Sequence, residues 1–213
     1  MQPTELWGLE QGEAGYPAGL CACLGARAPQ RLTLCGARAL WVGRQAPRLG
    51  LASSVRCPGE VILRTYDLAI ALRDAQVPVI GGFHAPMEQE ALRLLLRGRQ
   101  PVILCPARSL EGMRIRPELR RPLAEGRLLL LSPLPAGVRR ATQEGAGYRN
   151  RVVAALADAL LVVHAQPGSK TESLAREALA WGKPVYTLNL PANRRLRDLG
   201  AEVFDLETWR KQV

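Results

Sequence analysis

From residue 47 onward the chain alternates short apolar runs with longer amphipathic runs, and this alternation limits the possible folds more than any other feature. The apolar runs cover residues 49–53, 77–83, 101–107, 128–134, 159–165, 184–190 and 201–205. Near-continuous apolar runs of this kind are typical of strands buried on both faces. Strands that alternate with helices predict a parallel sheet with helices on both sides. We therefore predict an α/β fold built on a doubly wound, mostly parallel sheet of the Rossmann-like kind.

The segment before this alternation has a different character. Residues 1–46 are rich in glycine and proline and contain one short apolar stretch, LCACL, at 20–24. We predict a small N-terminal helical or irregular segment over 1–46 and a Rossmann-like domain over 47–213. Within that domain, the amphipathic run just before the strand at 159–165 predicts a helix over 150–158.

The charge balance favours an anionic partner. The formal net charge is +10, and only three of the 29 basic residues are lysines. Arginine forks match pairs of phosphate oxygens, so this excess is typical of proteins that bind phosphates. The alternative is that a GC-rich genome has enriched arginine with no such role. Charge alone leaves both readings open.

The cysteines and the N-terminus bear on the compartment. The five cysteines are an odd set, and Cys21 and Cys23 have the wrong spacing for a zinc knuckle. We expect reduced thiols in a cytoplasmic protein, with no metal and no cofactor. The first residues lack a basic and apolar leader, and no apolar run reaches the roughly 18 residues of a spanning helix.

Ligands of an open parallel sheet bind beyond the carboxyl ends of its strands, where loops lead into helix N-termini. Four polar stretches are predicted near that edge. We take a phosphate or nucleic-acid site there as the working hypothesis, and no catalytic residue is assigned. The candidate binding residues are Ser53, Ser54, Arg56, Gly81, Gly82, Arg149, Asn150, Arg151, Gly168, Ser169, Lys170 and Thr171.

Structural alternatives exist for each of these groups. Gly168 could permit a tight turn, and Ser169 or Thr171 could cap a helix. Arg149 and Arg151 could be solvated charges at a helix start. That reading is weakened because cations are disfavoured at the positive end of a helix dipole. Two arginines at such a position would indicate an external anion.

The stretch YRNRVVAALADALLVVHAQPGSKTESLAREALAWGKPVYTLNL, residues 148–190, resembles the DNA-processing protein A (DprA/Smf) family of SLOG-type Rossmann-like proteins. Its Arg-Asn-Arg segment, apolar run, Gly-Ser loop and Gly-Lys-Pro-Val-Tyr follow the family's order. Earlier, LGLASSVRCPG and VIGGF match more loosely. The family's Ser-Arg pair is offset here to Ser54 and Arg56, His84 replaces a Gly-Ile-Asp segment, and Lys170 stands where an apolar residue is usual.

The resemblance implies a binding protein for single-stranded DNA in DNA uptake and processing. It implies backbone binding in a basic crevice, handover to a recombinase, a homodimer and no established catalysis. A related SLOG branch, the LONELY GUY phosphoribohydrolases, suggests the alternative of a nucleotide-binding protein or a nucleoside-monophosphate hydrolase. In that alternative, Glu172 or Glu177 would act as acid or base. This chain keeps one glycine of that branch's loop but lacks the other glycines and the glutamate. Binding therefore ranks above hydrolysis.

Overall fold

The structure, a computed structural model, describes residues 5–43 and 46–211 and confirms the Rossmann-like α/β fold. Within these ranges the chain forms nine strands and nine α-helices. The strands are β1 Leu6–Glu10, β2 Arg31–Cys35, β3 Leu49–Ser53, β4 Val79–Gly81, β5 Val102–Leu104, β6 Leu128–Ser132, β7 Ala159–His164, β8 Val185–Thr187 and β9 Glu202–Val203. The helices are α1 Ala18–Leu24, α2 Ala39–Val42, α3 Gly59–Asp74, α4 Pro86–Leu95, α5 Pro117–Ala124, α6 Gln143–Leu156, α7 Lys170–Ala180, α8 Arg194–Asp198 and α9 Leu206–Lys211.

All nine strands join in one sheet, in the order β1-β2-β6-β5-β4-β3-β7-β8-β9. The strands from β3 to β9 pair in parallel, whereas β2 pairs antiparallel with both of its neighbours, β1 and β6. The chain moves outward from β3 to β6 and then returns to place β7 on the other side of β3. The strand order therefore reverses between β3 and β7, and ligand crevices of open α/β sheets form at such a switch point.

Both faces of the sheet are covered, as the continuous apolar strands require. Leu49 and Leu51 pack on one side with the apolar faces of α3, α4, α5 and α9. On the other side Ala52 and Ile80 pack with α1, α2, α6, α7 and α8. None of the helices in the described ranges combines the length and the apolarity that a bilayer crossing needs.

The N-terminal segment differs from its prediction. It contains β1 and β2, and Leu34 of β2 pairs with Leu131 of β6. The prediction of a helical or irregular segment therefore missed two strands, although α1 lies where the LCACL stretch is. The proposed boundary between residues 46 and 47 stays a prediction, and residues 44–45 next to it lie outside the described residues.

Helix α6 begins seven residues earlier than predicted, at Gln143 rather than 150. Thr142 is its N-cap, and its hydroxyl accepts a hydrogen bond from the Gly145 N–H at 3.0 Å. The prediction of a helix start at Arg149 is therefore wrong. Arg149 and Arg151 lie in the helix interior, and the argument from the helix dipole does not apply to them.

Candidate functional site

Three polar loops lie at the carboxyl edge of the sheet, because β3, β4 and β7 are parallel neighbours. We define the crevice as residues 53–59, 81–84 and 165–171 around this edge. Direct contacts join its walls across the switch point. The Ser54 hydroxyl accepts a hydrogen bond from the Gln166 N–H at 3.0 Å and lies 3.4 Å from the Ser169 hydroxyl.

Glu88 of α4 fixes the other two loops to each other. Its buried carboxylate accepts hydrogen bonds from the N–H groups of Ser53 and His84, both at 2.8 Å. Burial raises the pKa of Glu88, although these hydrogen bonds oppose the shift. Because one side chain bridges the ends of β3 and β4, the loops that follow these strands are held in a fixed relation.

The first turn of α7 forms the third wall of the crevice. Gly168 has a φ of +72°, and Ser169 caps the helix by accepting a hydrogen bond from the Glu172 N–H at 3.2 Å. The structural alternatives of a turn and a cap are thus both present. They leave the first-turn N–H groups of Lys170 and Thr171 without intrahelical acceptors, as in any α-helix. Lys170 is exposed, and its ammonium lies 3.2 Å from the Gln143 amide oxygen at the start of α6.

Arg149 is a buried residue rather than a crevice-facing one. Its side chain is 2% exposed, and its guanidinium donates a hydrogen bond to the Cys105 carbonyl at the end of β5. The guanidinium lies against Gly82, where any Cβ would overlap it. Its Nε is buried without a hydrogen-bond partner among the described residues. Gly82 and Arg149 are therefore brought together as the sequence predicted, but beneath the crevice surface.

Arg151 is occupied by an ion pair. Its guanidinium donates two hydrogen bonds, at 2.6 and 2.9 Å, to the carboxylate of Glu177 on α7. This pair joins α6 to α7 and raises the pKa of Arg151. Asn150 lies between the two arginines and is half-buried. Arg151 thus joins two helices and Arg149 packs beneath the loops after β4 and β5, and neither arginine presents a free fork to solvent.

Glu172 is also held in place. Its carboxylate is paired with Arg195 at 2.8 Å and Arg176 at 2.9 Å, and it accepts a hydrogen bond from the Gly168 N–H at 3.0 Å. The hydrogen bonds from Arg195 and Arg176 lower the pKa of Glu172 to about 2. A carboxylate with such a pKa is ionised near neutral pH and is a poor proton donor. With Glu177 bound to Arg151, both acids of the hydrolase alternative have structural partners.

The exposed cations at this edge are only partly those that the sequence singled out. Arg56, in the loop after β3, is exposed and has no carboxylate partner in the described part of the chain. Arg139 and Arg140 are exposed in the loop that leads to the Thr142 cap of α6, and sequence reasoning missed them. Because Lys170 contacts the start of α6, the loop just before that helix lies near the crevice, and Arg139 and Arg140 belong to this loop. A threonine followed by Gln-Glu was the available signal for that helix start.

His164 has a structural role. His164, at the end of β7, is buried, and its Nδ1 lies 2.8 Å from the Asn193 amide oxygen. Residues 5–43 and 46–211 contain no cluster of three His, Cys, Asp or Glu side chains that could hold a metal ion. The geometry is that of a rigid polar edge with helix starts and exposed cations, which suits an anionic ligand.

The model of one protein family, DNA recombination-mediator protein A, matches residues 9–202. The chain belongs to that family. A search of curated protein sequences found no match.

Solved structures agree in fold. DNA processing protein A from Streptococcus pneumoniae superposes with a TM-score of 0.78 and 17% identity, covering 99% of this chain and 75% of that one. The Helicobacter pylori protein, described for its single-stranded DNA binding mode, gives 0.75 and 20%, covering 100% and 97%. The molybdenum cofactor carrier protein of Chlamydomonas reinhardtii gives 0.50 and 15%, covering 76% and 90%. At these identities the likeness shows the fold.

Proposed function

We propose that this family member binds the sugar–phosphate backbone of single-stranded DNA in the crevice. The observation that carries the proposal is the first turn of α7, placed at the switch point of the sheet between the Ser54 loop and the start of α6. A helix start supplies N–H donors and a positive dipole end to a phosphate. The Helicobacter pylori relative with the same fold is described as binding single-stranded DNA.

The cations that we assign to the phosphates are the exposed ones. Arg56 and Lys170 come from the original candidates, and Arg139 and Arg140 are added by the structure. Arg149 acts from below, as a buried positive charge that supports the loop at Gly82, and Arg151 fixes α6 to α7. The other candidates fall into two groups in this proposal. Backbone approach is assigned to Gly81, Gly82 and Gly168, and polar contacts are assigned to Ser53, Ser54, Asn150, Ser169 and Thr171.

Backbone contacts suit this chain better than base readout. Aromatic residues make up 5% of the sequence, so few rings are available for stacking on bases. Phosphate contacts position a strand without reading its sequence. We therefore expect affinity that varies little with sequence and falls steeply with salt.

The test is fluorescence anisotropy with labelled oligothymidylate over a range of salt concentrations. For single strands, log K falls with log salt by roughly 0.7 per phosphate contact. The Arg56→Gln, Lys170→Gln double variant should therefore bind more weakly, with a slope shallower by about 1.4. Arg31→Gln serves as the control, because Arg31 is 57% exposed and pairs with Glu10 on β1, outside the crevice. Because the control removes one charge and the double variant removes two, the change in salt slope is divided by the number of charges removed before the two are compared.

Duplex DNA and a nucleoside monophosphate provide the competing arms. The proposal expects unlabelled single strand to compete best. Equal affinity and slope in the double variant and the control would overturn it. Competition by the mononucleotide alone, with release of free base, would instead establish the hydrolase alternative.

We extend the proposal to the role that the family resemblance implies. The protein would act in the cytoplasm during DNA uptake, as a homodimer, and would hand its single strand to a recombinase. No disulfide forms within the described residues, which suits a reducing compartment. Light scattering at micromolar concentration tests the dimer, and a strand-exchange assay with a recombinase tests the handover. If the protein is a monomer throughout that range, the homodimer is refuted. If it has no effect on strand exchange, the handover to a recombinase is refuted.

A further inference from the structure

A groove of about 750 Å³ lies between α4 and α5, on the face of the sheet that also carries α3. Its volume falls within the roughly 300–1,000 Å³ of typical ligand sites. Its lining includes the apolar side chains of Leu92, Leu96 and Pro122. Five arginines and two glutamates also line it, so the groove is net positive. The arginines are Arg93, Arg97, Arg116, Arg121 and Arg127.

The sequence around the groove carries half of the protein's net positive charge. Residues 89–127 contain nine arginines and four acidic residues, an excess of +5 against +10 for the entire chain. None of this region was among the predicted site residues. A positive stripe of this density raises the local concentration of polyanions.

Two of the groove's arginines are available to a ligand. Arg97 is exposed and forms no ion pair within 4.0 Å among the residues that the structure describes, although its charge helps to lower the pKa of Glu90. Arg116 is 53% exposed and pairs with Glu118 at 3.2 Å. Exposed ion pairs of this kind contribute little stability, so a phosphate can replace the carboxylate at small cost. Arg127, in contrast, is largely buried and donates to the Leu96 carbonyl at 2.7 Å, which makes it part of the groove wall.

The groove begins where the crevice ends. The Gln89 amide, at the upper end of the groove, donates a hydrogen bond at 2.8 Å to the carbonyl of His84 in the crevice loop. Helix α4 extends about 14 Å from Pro86 to Leu95 at a rise of 1.5 Å per residue, and Arg97 follows just after its end. A strand that leaves the crevice over the exposed His84 can therefore continue along α4 towards Arg97.

We propose that the α4–α5 groove is a second binding segment for the same single-stranded nucleic acid, continuous with the crevice. Phosphates contact Arg97 and Arg116, and the partly exposed Leu96 gives the strand an apolar contact between them. This inference rests on the function proposed for the crevice. It adds a length dependence that the crevice alone does not have.

The experiment uses the full chain and oligothymidylates of about 6 and about 30 nucleotides, one near the lower end of the roughly 4–16 nucleotides that single-strand binders cover and one well above it. The groove variant is Arg97→Gln, Arg116→Gln, and the crevice variant is Arg56→Gln, Lys170→Gln. Arg31→Gln, Arg64→Gln is the matched control, since both side chains are more than half exposed and lie outside both sites. Thermal unfolding of each variant confirms that the fold is retained.

The groove variant should bind the long strand about tenfold more weakly, with a salt slope shallower by about 1.4, and should bind the short strand like the control. The crevice variant should weaken both lengths. A groove variant that binds the long strand as tightly as the control overturns the inference and leaves the crevice intact, as it would if the groove served an acidic protein instead. Wild-type protein that binds neither length overturns the function of the crevice itself.

Discussion

Replacing Gly82 with alanine tests whether the missing side chain at this position makes room for the guanidinium of Arg149. A Cβ built at Gly82 lies well under 3.0 Å from three guanidinium atoms. The backbone of Gly82 is not in the left-handed region, so alanine meets no conformational strain there. Any cost of the substitution must therefore come from displaced atoms.

The magnitude follows from what the guanidinium loses when it moves. Its hydrogen bond to the Cys105 carbonyl involves a charged donor and is worth about 1.5–3 kcal/mol. If the loop moves and the guanidinium stays in place, forcing a methyl group into the packed site costs about 1–3 kcal/mol. We expect Gly82→Ala to lower the free energy of unfolding by about 2–4 kcal/mol, measured by urea denaturation with an unchanged slope.

Gly147 supplies the matched control on the helix that carries Arg149. A Cβ at Gly147 meets nothing within 4 Å. Gly147→Ala should therefore stabilise the protein by about 0.5–1 kcal/mol, because alanine favours a helix interior. The two Gly→Ala substitutions are thus expected to have opposite signs.

A double-mutant cycle with Arg149→Ala isolates the contact. Once the guanidinium is gone, Gly82→Ala should cost less than about 1 kcal/mol, leaving a clear interaction energy between the two sites. If Gly82→Ala costs the same with and without Arg149, or costs nothing at all, the packing claim is refuted.

Three further predictions concern the loop and helices beside the crevice. Ser169→Ala removes the cap of α7 and should cost about 1 kcal/mol in thermal unfolding, whereas Ser169→Asp should restore most of it. The pKa of Glu172 is lowered from 4.5 to about 2, so its stabilisation is present above pH 4.5 and is lost as pH falls towards 2. Glu172→Gln should thus be less stable than wild type near neutral pH, with a gap that closes in acid; a constant gap would contradict the assignment. Arg151→Ala should cost about 0.5–1 kcal/mol through its partly exposed pair with Glu177, and molar salt should reduce that cost.

The positions of most parallel strands along the chain were predictable because burial on both faces leaves a direct mark on the sequence. Each predicted run from 49–53 to 201–205 contains a strand, although most strands are shorter than their runs. Residues at the ends of these runs, such as Val77 and Ala165, are buried beyond the strands themselves. An apolar run therefore marks residues that are buried, and only some of these residues pair with a neighbouring strand.

The antiparallel strands left a weaker mark. β1 contains the exposed Leu6, and in β2 the polar Arg31 and Thr33 alternate with leucines. Such short alternating stretches among glycines resemble loop sequence. Their place in the sheet depends on pairing with β6, almost a hundred residues away in the chain, and local patterns carry no sign of such a partner.

The candidate site was predictable as a location and less so as a set of contacts. The Gly-Gly and Gly-Ser-Lys-Thr loops do meet at one edge because they follow parallel strands. The helix α6 was misplaced because Gly145 and Gly147 look like helix breakers, although Thr142 caps a helix before them. Because of this error, Arg149 was predicted at a helix start, and Arg139 and Arg140 were not recognised as residues just before the true start. Nothing in the sequence distinguishes a buried arginine from an exposed one.

The pairing of β2 with β6 also has a consequence for synthesis on the ribosome. Leu34 is fully buried in the finished sheet, yet its partner Leu131 emerges about 97 residues later. At elongation rates of about 5–20 residues per second, that delay is roughly 5–20 s. During this interval β2 can pair with β1, but the edge of β2 that will join β6 has no native partner, and nascent chains on neighbouring ribosomes offer strands of their own. Chaperone capture of the early chain, or slow translation before residue 128, would therefore change the yield of this protein without altering its final stability.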